Sequence, residues 1–239
     1  MIDDQLQNLV DNYQPNLLVL QAISQVRLLA TVGPSGTGKT VIAQALNRSE
    51  SEIRLVVGET TRRPRYGERP DIDYLFRAED EILSDLKSGE LVDVIIGPNG
   101  DLYATRLSSF PPSGISVMAL VPAGVRKFRK LPLKFFKAAF IVPDSFEHWQ
   151  EWLKKQSEAS QWTAEQIQGR LEEAKVSHEF ALSDSEIAFV LNDTIDKAAK
   201  RLLQVAKGSQ PDDQALARQT AEDNYQQLLK LLDKKPETE

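Results

Sequence analysis

The sequence predicts a three-layer α/β fold around a mainly parallel sheet, with an inserted lobe, a small lid and helical extensions at both ends. Short apolar runs, typical of buried strands, alternate with helical patterns along the chain. A glycine-rich loop follows the first of these runs and leads directly into helix-favouring sequence. The runs that we predict as strands include Leu28–Val32, Ile115–Val121, Phe135–Val142 and Ile187–Leu191.

The amino-acid composition excludes several classes of function. The 239 residues carry a net charge of −6, so we expect no general binding to nucleic acid. The chain has no Cys and two His, which excludes disulfides, thiolate metal sites and histidine-rich metal sites. No apolar run approaches the roughly 20 residues of a membrane span. The acidic start lacks a signal-peptide profile, and we therefore expect a cytoplasmic location without membrane partners.

The loop after the first strand is a phosphate-binding loop by its sequence. It has Gly, four residues, Gly, Lys and then Thr, in the strand–loop–helix context that gives this pattern its meaning. Backbone N–H groups around such glycines can surround an anion, and the following helix adds its positive end. We therefore expect Lys39 to reach the β- and γ-phosphates of ATP and the Thr40 hydroxyl to bind Mg²⁺. The predicted ATP-binding residues of the loop are Gly33, Pro34, Ser35, Gly36, Thr37, Gly38, Lys39 and Thr40.

Three domains are predicted along the chain. Residues 1–25 form an N-terminal helical extension, 26–207 the central domain, and 208–239 a linker, an amphipathic helix and a disordered tail. The apolar stripes at 2–13 and 216–232 each need a surface to bury them. We expect that surface to be the core, the other terminal helix or a second copy in a homodimer. Within the central domain we predict an inserted lobe at 58–105 and a lid at 151–162. We also predict a helix at 146–156, a polar break at 157–161 and then a long helix that begins at the capping box of Thr163 and Gln166. Residues 16–25, in the N-terminal extension, give no clear pattern.

A second anion site is predicted in the segment Thr60–Glu68. It places three arginines within four residues, beside a stiffening Pro64. Such a cluster is often only a solvated basic loop. A phosphotransferase, however, needs a fixed second site for its acceptor, and the planar guanidinium group grips phosphate in a bidentate way.

These residues resemble the substrate segment of guanylate kinases. The resemblance runs from about Arg27 to Ala206. The strings that carry it are Thr60-Thr61-Arg62-Arg63-Pro64-Arg65, Gly67-Glu68, Asp73-Tyr74-Leu75-Phe76, Tyr103-Ala104-Thr105, Phe140–Ser145, Ile167–Leu171 and Val190–Asp193.

The resemblance implies a guanylate kinase fold and phosphorylation of GMP to GDP with ATP and Mg²⁺. Lys39, Arg62 and Arg170 would then neutralise charge during transfer. The acceptor GMP would be held by Arg62, Arg65, Tyr74, Asp93, Tyr103 and Thr105, and adenine would lie against Asn192. Without the resemblance, core packing explains both tyrosines equally well.

Three departures from the family pattern keep alternatives open. Val121 replaces the acid at the family's strand end, Gly58 replaces a serine, and Glu151–Gln156 replaces an arginine-rich lid. Asp93 is also one methylene shorter than the family's glutamate. The alternatives are a kinase for another phosphorylated acceptor, such as a ribose phosphate, and a weakly catalytic module that binds nucleotide or phosphopeptide.

Overall fold

The computed structural model of the protein describes residues 4–64, 68–97 and 100–233. Its strands are β1 (Arg27–Val32), β2 (Ile53–Leu55), β3 (Glu59–Thr60), β4 (Leu75–Phe76), β5 (Leu91–Ile96), β6 (Leu102–Arg106), β7 (Ile115–Ala119), β8 (Phe135–Pro143) and β9 (Ile187–Asn192). Its helices are α1 (Asp4–Asp11), α2 (Leu17–Ile23), α3 (Lys39–Ser49), α4 (Glu79–Ser88), α5 (Pro122–Phe128), α6 (Phe146–Ser160), α7 (Ala164–Ser183), α8 (Ile195–Ala206) and α9 (Gln214–Asp233).

The strands form two sheets. The five-stranded sheet has the order β2-β7-β1-β8-β9, with β2 parallel to β7 and β8 parallel to β9. The four-stranded sheet has the order β4-β3-β6-β5, in which β6 runs antiparallel to both β3 and β5, while β3 and β4 are parallel. The predicted α/β class with a mainly parallel central sheet is therefore confirmed.

The chain divides into two compact units. The described residues of the first lie within Met1–Leu28, Glu52–Met118 and Ala123–Phe136. Those of the second lie within Leu29–Ser51, Ala119–Pro122 and Lys137–Glu239. No helix in the described part of the chain combines the length and the apolar character needed to cross a membrane.

In the first unit, α1 packs on α4, β5 and β6. Val10 of α1 is buried in one cluster with Ile82 and Leu86 of α4 and with Leu91 of β5. The Tyr13 hydroxyl, just beyond the helix, donates a hydrogen bond of 2.6 Å to the carbonyl oxygen of Leu91. The apolar stripe of α1 is therefore buried within its own chain.

An ion-pair cluster around Glu59 joins β3 to its neighbours in the first unit. The Glu59 side chain is fully buried, and its two oxygens lie 2.9 Å from Nη1 of Arg77 and 2.5 Å from Nε of Arg106. Asp85 of α4 pairs with both arginines, and Glu81 pairs with Arg77. Strand β3, which leads into the arginine-rich segment, is thus fixed by charges from β6, α4 and the residue after β4.

In the second unit, α9 packs on α6 and α7. Leu228 of α9 is fully buried in a cluster with Trp149 and Leu153 of α6 and Ala174 of α7. The Asn224 side chain also donates to the carbonyl oxygen of Pro143, at 3.0 Å. The apolar face of α9 is therefore covered by its own unit, and dimerisation through the terminal helices stays a prediction, as do the predicted domain boundaries.

One local prediction needs correction, one stretch without a clear sequence pattern is helical, and one predicted feature lies outside the described residues. The polar break at 157–161 is wrong: α6 continues to Ser160, because an exposed last turn needs no apolar residues, and it ends at Gln161 with φ 52°. Most of the predicted lid segment therefore belongs to one helix. Residues 17–23 form α2, capped by Asn16, and its pattern is obscured because Leu17 and Leu18 are each 75% exposed. The tail predicted at 234–239 lies outside the described residues.

Candidate active site

The glycine-rich loop joins β1 to α3 in the second unit. Gly38 caps α3 with φ 85°, a left-handed conformation that favours glycine. A Cβ atom there would lie only 2.8 Å from Nδ2 of Asn192, so a larger residue would displace that side chain. Asn192, at the end of β9, donates a hydrogen bond of 3.0 Å to the carbonyl oxygen of Thr37. The strand end that we assigned to adenine thus directly supports the loop.

Lys39 begins α3 and turns its ammonium group back into the loop. Its Nζ donates to the carbonyl oxygens of Gly33 and Pro34, at 2.6 and 2.7 Å. Burial lowers the pKa of this ammonium to about 8, and the nearby charges of Glu173 and Arg170 act on it in opposite directions. A cation whose hydrogen bonds here go to the neutral carbonyl groups of Gly33 and Pro34 is suited to an incoming phosphate, because a phosphate would add negative charge beside it.

The other loop residues are held by contacts within the loop and from α6. The Thr37 hydroxyl donates to the carbonyl oxygen of Pro34, at 3.0 Å, which fixes the loop from inside. The carbonyl oxygen of Ser35 accepts a hydrogen bond from the Trp149 indole. Thr40 is an exposed residue in the first turn of α3. The loop therefore combines buried support with an accessible helix start.

Arg170 lies on α7 and is oriented by two neighbours. Its Nη1 forms an ion pair of 2.6 Å with Glu173, and its guanidinium group lies 5.4 Å from the centre of the Trp162 ring. Arg170 and Glu173 both influence the charge of Lys39. The structure therefore brings the predicted catalytic arginine into the electrostatic environment of the loop lysine.

Arg62 is the centre of the candidate acceptor site in the first unit. It is 8% exposed, and its two terminal nitrogens each lie 2.9 Å from an oxygen of Glu68. Its Nε donates to the Tyr103 hydroxyl at 3.2 Å, and its guanidinium group lies 5.3 Å from the centre of the Tyr74 ring. Burial alone would lower the pKa of Arg62, but the hydrogen bonds and charge of Glu68 outweigh it and raise that pKa. Arg62 is thus a permanent cation with its planar face and edge already oriented.

The structure unites three of the predicted phosphate-binding residues and leaves the fourth undescribed. Tyr74 and Tyr103 contact each other edge to face, with ring centres 5.9 Å apart, and both contact Arg62. Arg65 lies outside the described residues. Glu68 belongs to the sequence that resembles the guanylate kinase substrate segment, but nothing in the sequence predicts that it pairs with Arg62.

Asp93 and Thr105, the predicted base-binding residues, are cross-strand partners on β5 and β6. Asp93 is 6% exposed, and burial raises its pKa to about 6 against the lowering effect of Lys127. Lys127 is held by the carbonyl oxygens of Val10 and Val94, at 2.9 and 2.7 Å. In its ionised form, which the positive charge of Lys127 favours, Asp93 can accept hydrogen bonds.

Met118 borders the same site and was missed by sequence reasoning. Its sulfur atom accepts a weak hydrogen bond from the Thr105 hydroxyl at 3.9 Å. Its terminal methyl group lies 3.6 Å from where a Cβ atom of Gly58 would stand. An apolar thioether therefore lies beside the position where the family pattern has serine. Only the tertiary contacts of the folded chain reveal this, because Met118 belongs to no motif.

The departure at the strand end is also visible in the structure. Val121 is 40% exposed and provides no carboxylate. Within the described residues, no group of three or more His, Cys, Asp or Glu side chains could hold a metal ion.

Comparison with known proteins agrees with these features. A guanylate kinase from Bifidobacterium longum is 30% identical over 186 residues, which cover 75% of this chain and 92% of that protein. A guanylate kinase from Hahella chejuensis is 31% identical over 176 residues, covering 72% and 81%. The crystal structure of guanylate kinase from Anaplasma phagocytophilum shares the fold, with a TM-score of 0.57 and 20% identity over 77% of this chain and 85% of that one. The family model described as guanylate kinase matches residues 25–208, and the chain therefore belongs to the guanylate kinase family.

Proposed function

We propose that this protein transfers the γ-phosphoryl group of ATP to a nucleoside monophosphate, and that GMP is the preferred acceptor, giving GDP. The observation that carries the proposal is the partly buried Lys39 ammonium, held by loop carbonyl groups inside a complete phosphate-binding loop. A family member that bound only phosphopeptides would have no need for this group. Its position instead suits the β- and γ-phosphates of a bound nucleotide.

The donor would be bound by the second unit. The loop from Gly33 to Thr40 would surround the phosphates, and Asn192 would lie near adenine. Arg170 would approach the transferring phosphoryl group, where positioning and charge neutralisation supply most of the catalysis. Mg²⁺, when bound, neutralises phosphate oxygens, and Thr40 is the side chain that we assign to it.

The acceptor would be bound by the first unit. Arg62, Tyr74 and Tyr103 would hold its phosphate together with Arg65. To do so, Arg62 would exchange part of its contact with Glu68 for phosphate oxygens, which bind the same planar guanidinium group.

Asp93 gives the reason to prefer GMP. Guanine offers donors at N1 and at its 2-amino group, which an ionised Asp93 can accept. Adenine has an acceptor at N1 and no 2-amino group, so the same carboxylate would be left unpaired. Thr105, across the strands from Asp93, would complete base recognition. A cytoplasmic location, where ATP is available, stays a prediction.

A coupled assay of ADP release tests the proposal directly. Purified protein is given MgATP with GMP, dGMP, AMP, UMP or ribose 5-phosphate, and Lys39→Ala serves as the matched control. We expect turnover with GMP, less with AMP and none in the variant, because the loop lysine no longer contacts the phosphates. ATP binding without turnover of any nucleotide would refute the proposal, and turnover of ribose phosphate alone would identify a different acceptor class.

A further inference from the structure

A tryptophan on α6 makes direct contact with the phosphate-binding loop. Ser145 caps α6 by accepting the backbone N–H of His148, so the helix begins at a fixed point after β8. Trp149 follows within the first turn and is 2% exposed. Its indole N–H donates a hydrogen bond of 2.8 Å to the carbonyl oxygen of Ser35. The Ser35 carbonyl is thus tied to a buried side chain on another element.

This hydrogen bond fixes the orientation of the peptide between Ser35 and Gly36. No described peptide bond is cis, and in a trans peptide the C=O and N–H groups point in opposite directions. Holding the Ser35 oxygen against Trp149 therefore directs the Gly36 N–H away from α6. Gly36 has φ 82°, and without a side chain this peptide could rotate readily if nothing held it.

The indole ring of Trp149 is itself held in place by packing. Trp149 packs against Phe146, with ring centres 5.5 Å apart, and lies in the cluster that includes Leu153 and Leu228. A Cβ atom on Gly36 would lie 3.5 Å from the backbone nitrogen of Leu153, so α6 also contacts the loop next to the hydrogen bond. Leu228 belongs to α9, which lies beyond the residues matched by the family model. The packing around Trp149 therefore includes a helix that lies outside the residues matched by the family model.

We propose that Trp149 is a positioning residue for ATP: its indole N–H holds the Ser35–Gly36 peptide so that the Gly36 N–H joins the amide groups that receive phosphate. This inference rests on the proposed function and identifies a residue that prepares its donor site. Amide groups that already point at an anion need no reorganisation when it binds, and the loss of that preparation weakens binding. Trp149 would act through the loop and would not touch the reacting atoms.

Trp149→Phe is the decisive variant, because it keeps a six-membered aromatic ring in the cluster and removes the N–H donor together with the five-membered ring that carries it. Gln150→Ala is the matched control on the same helix, because Gln150 is the exposed neighbour of Trp149 and lies outside the predicted lid. Calorimetric titration with MgATP, without any acceptor, measures both affinity and stoichiometry. We expect Trp149→Phe to bind ATP about 3- to 10-fold more weakly at unchanged stoichiometry, and Gln150→Ala to match the wild type.

Steady-state kinetics provide a second measurement. The KM for ATP should rise in Trp149→Phe while the KM for GMP stays constant, because the acceptor residues lie in the other unit. Wild-type affinity in Trp149→Phe would overturn the inference, as would a fall in stoichiometry at unchanged affinity, which indicates a folding defect alone. The titration needs no acceptor, so a protein that binds ATP but phosphorylates no nucleotide would refute the proposed function and leave this test intact.

Discussion

The charge of Lys39 makes ATP binding sensitive to mildly alkaline pH. Burial lowers the pKa of this ammonium to about 8 in the free protein. The phosphates of ATP favour the protonated form, so binding raises that pKa. Above pH 8, ATP must therefore bind together with a proton, and its affinity falls as the pH increases.

The size of this effect follows from the pKa. With a pKa of about 8, Lys39 is about nine-tenths protonated at pH 7 and about one-quarter protonated at pH 8.5. We therefore expect MgATP to bind about fourfold more weakly at pH 8.5 than at pH 7. At pH 8, where about half of the lysines are neutral, binding should take up about half a proton.

Isothermal calorimetry measures both quantities. Affinity is determined at several pH values, and proton uptake at pH 8 is obtained from the binding enthalpies in buffers of different ionisation enthalpy. Lys39→Arg is the control, because a guanidinium group stays charged throughout this range and should abolish both the pH dependence and the proton uptake. Equal wild-type affinity at pH 7 and pH 8.5, with no proton uptake at pH 8, would refute the reasoning.

Three further predictions concern the acceptor site and the C-terminal helix. Arg62→Ala should raise the KM for GMP about 10- to 100-fold and leave that for ATP nearly unchanged, because a charged hydrogen bond contributes about 1.5–3 kcal/mol; equal effects on both substrates in steady-state kinetics would contradict separate sites. Asp93→Asn should reduce the ratio of kcat/KM for GMP to that for AMP by about tenfold, and an unchanged ratio would remove Asp93 from base recognition. Leu228→Ala should lower the free energy of unfolding by about 2–5 kcal/mol in denaturant titrations, because Leu228 is fully buried. Leu216→Ala on the same helix is the control and should change it by less than about 0.5 kcal/mol, since Leu216 is 58% exposed; a similar loss in both variants would show that α9 does not depend on its buried face.

The elements with strong local signals were predictable from the sequence. The phosphate-binding loop, its strand and its helix are encoded within one continuous segment, residues 27–49. The start of α7 was also predictable, because Thr163 and Gln166 form the expected capping box, with each side chain bonded to the other residue's backbone. The end of α6 was not, because its last turn is solvent-exposed and polar residues are compatible with either a helix or a loop there.

The contacts that complete the candidate site were beyond sequence reasoning. Trp149 bonds to a backbone carbonyl group 114 positions away, and every residue has such a group, so no pattern identifies the partner. The bidentate contact between Arg62 and Glu68 depends on the path of the intervening loop. Met118 enters the base site only because β7 and β6 bring it to Thr105. Sequence motifs identify candidate site residues, but the tertiary fold determines which groups those residues contact.

The charge cluster at Glu59 constrains how this sequence can evolve. Losing Glu59 alone would leave Asp85 as the shared partner of Arg77 and Arg106, with Glu81 pairing Arg77 as well, and uncompensated charge in a partly buried cluster is costly. Exchanging the whole group for well-packed apolar residues can be nearly neutral, because the cost of removing the charges from water disappears with them. A single substitution at any of these positions is therefore costly, whereas a simultaneous substitution of the whole cluster can be tolerated. A related sequence could lose this ion-pair cluster only if several of its residues changed together. Which residue is tolerated at one of these positions therefore depends on the residues present at the others.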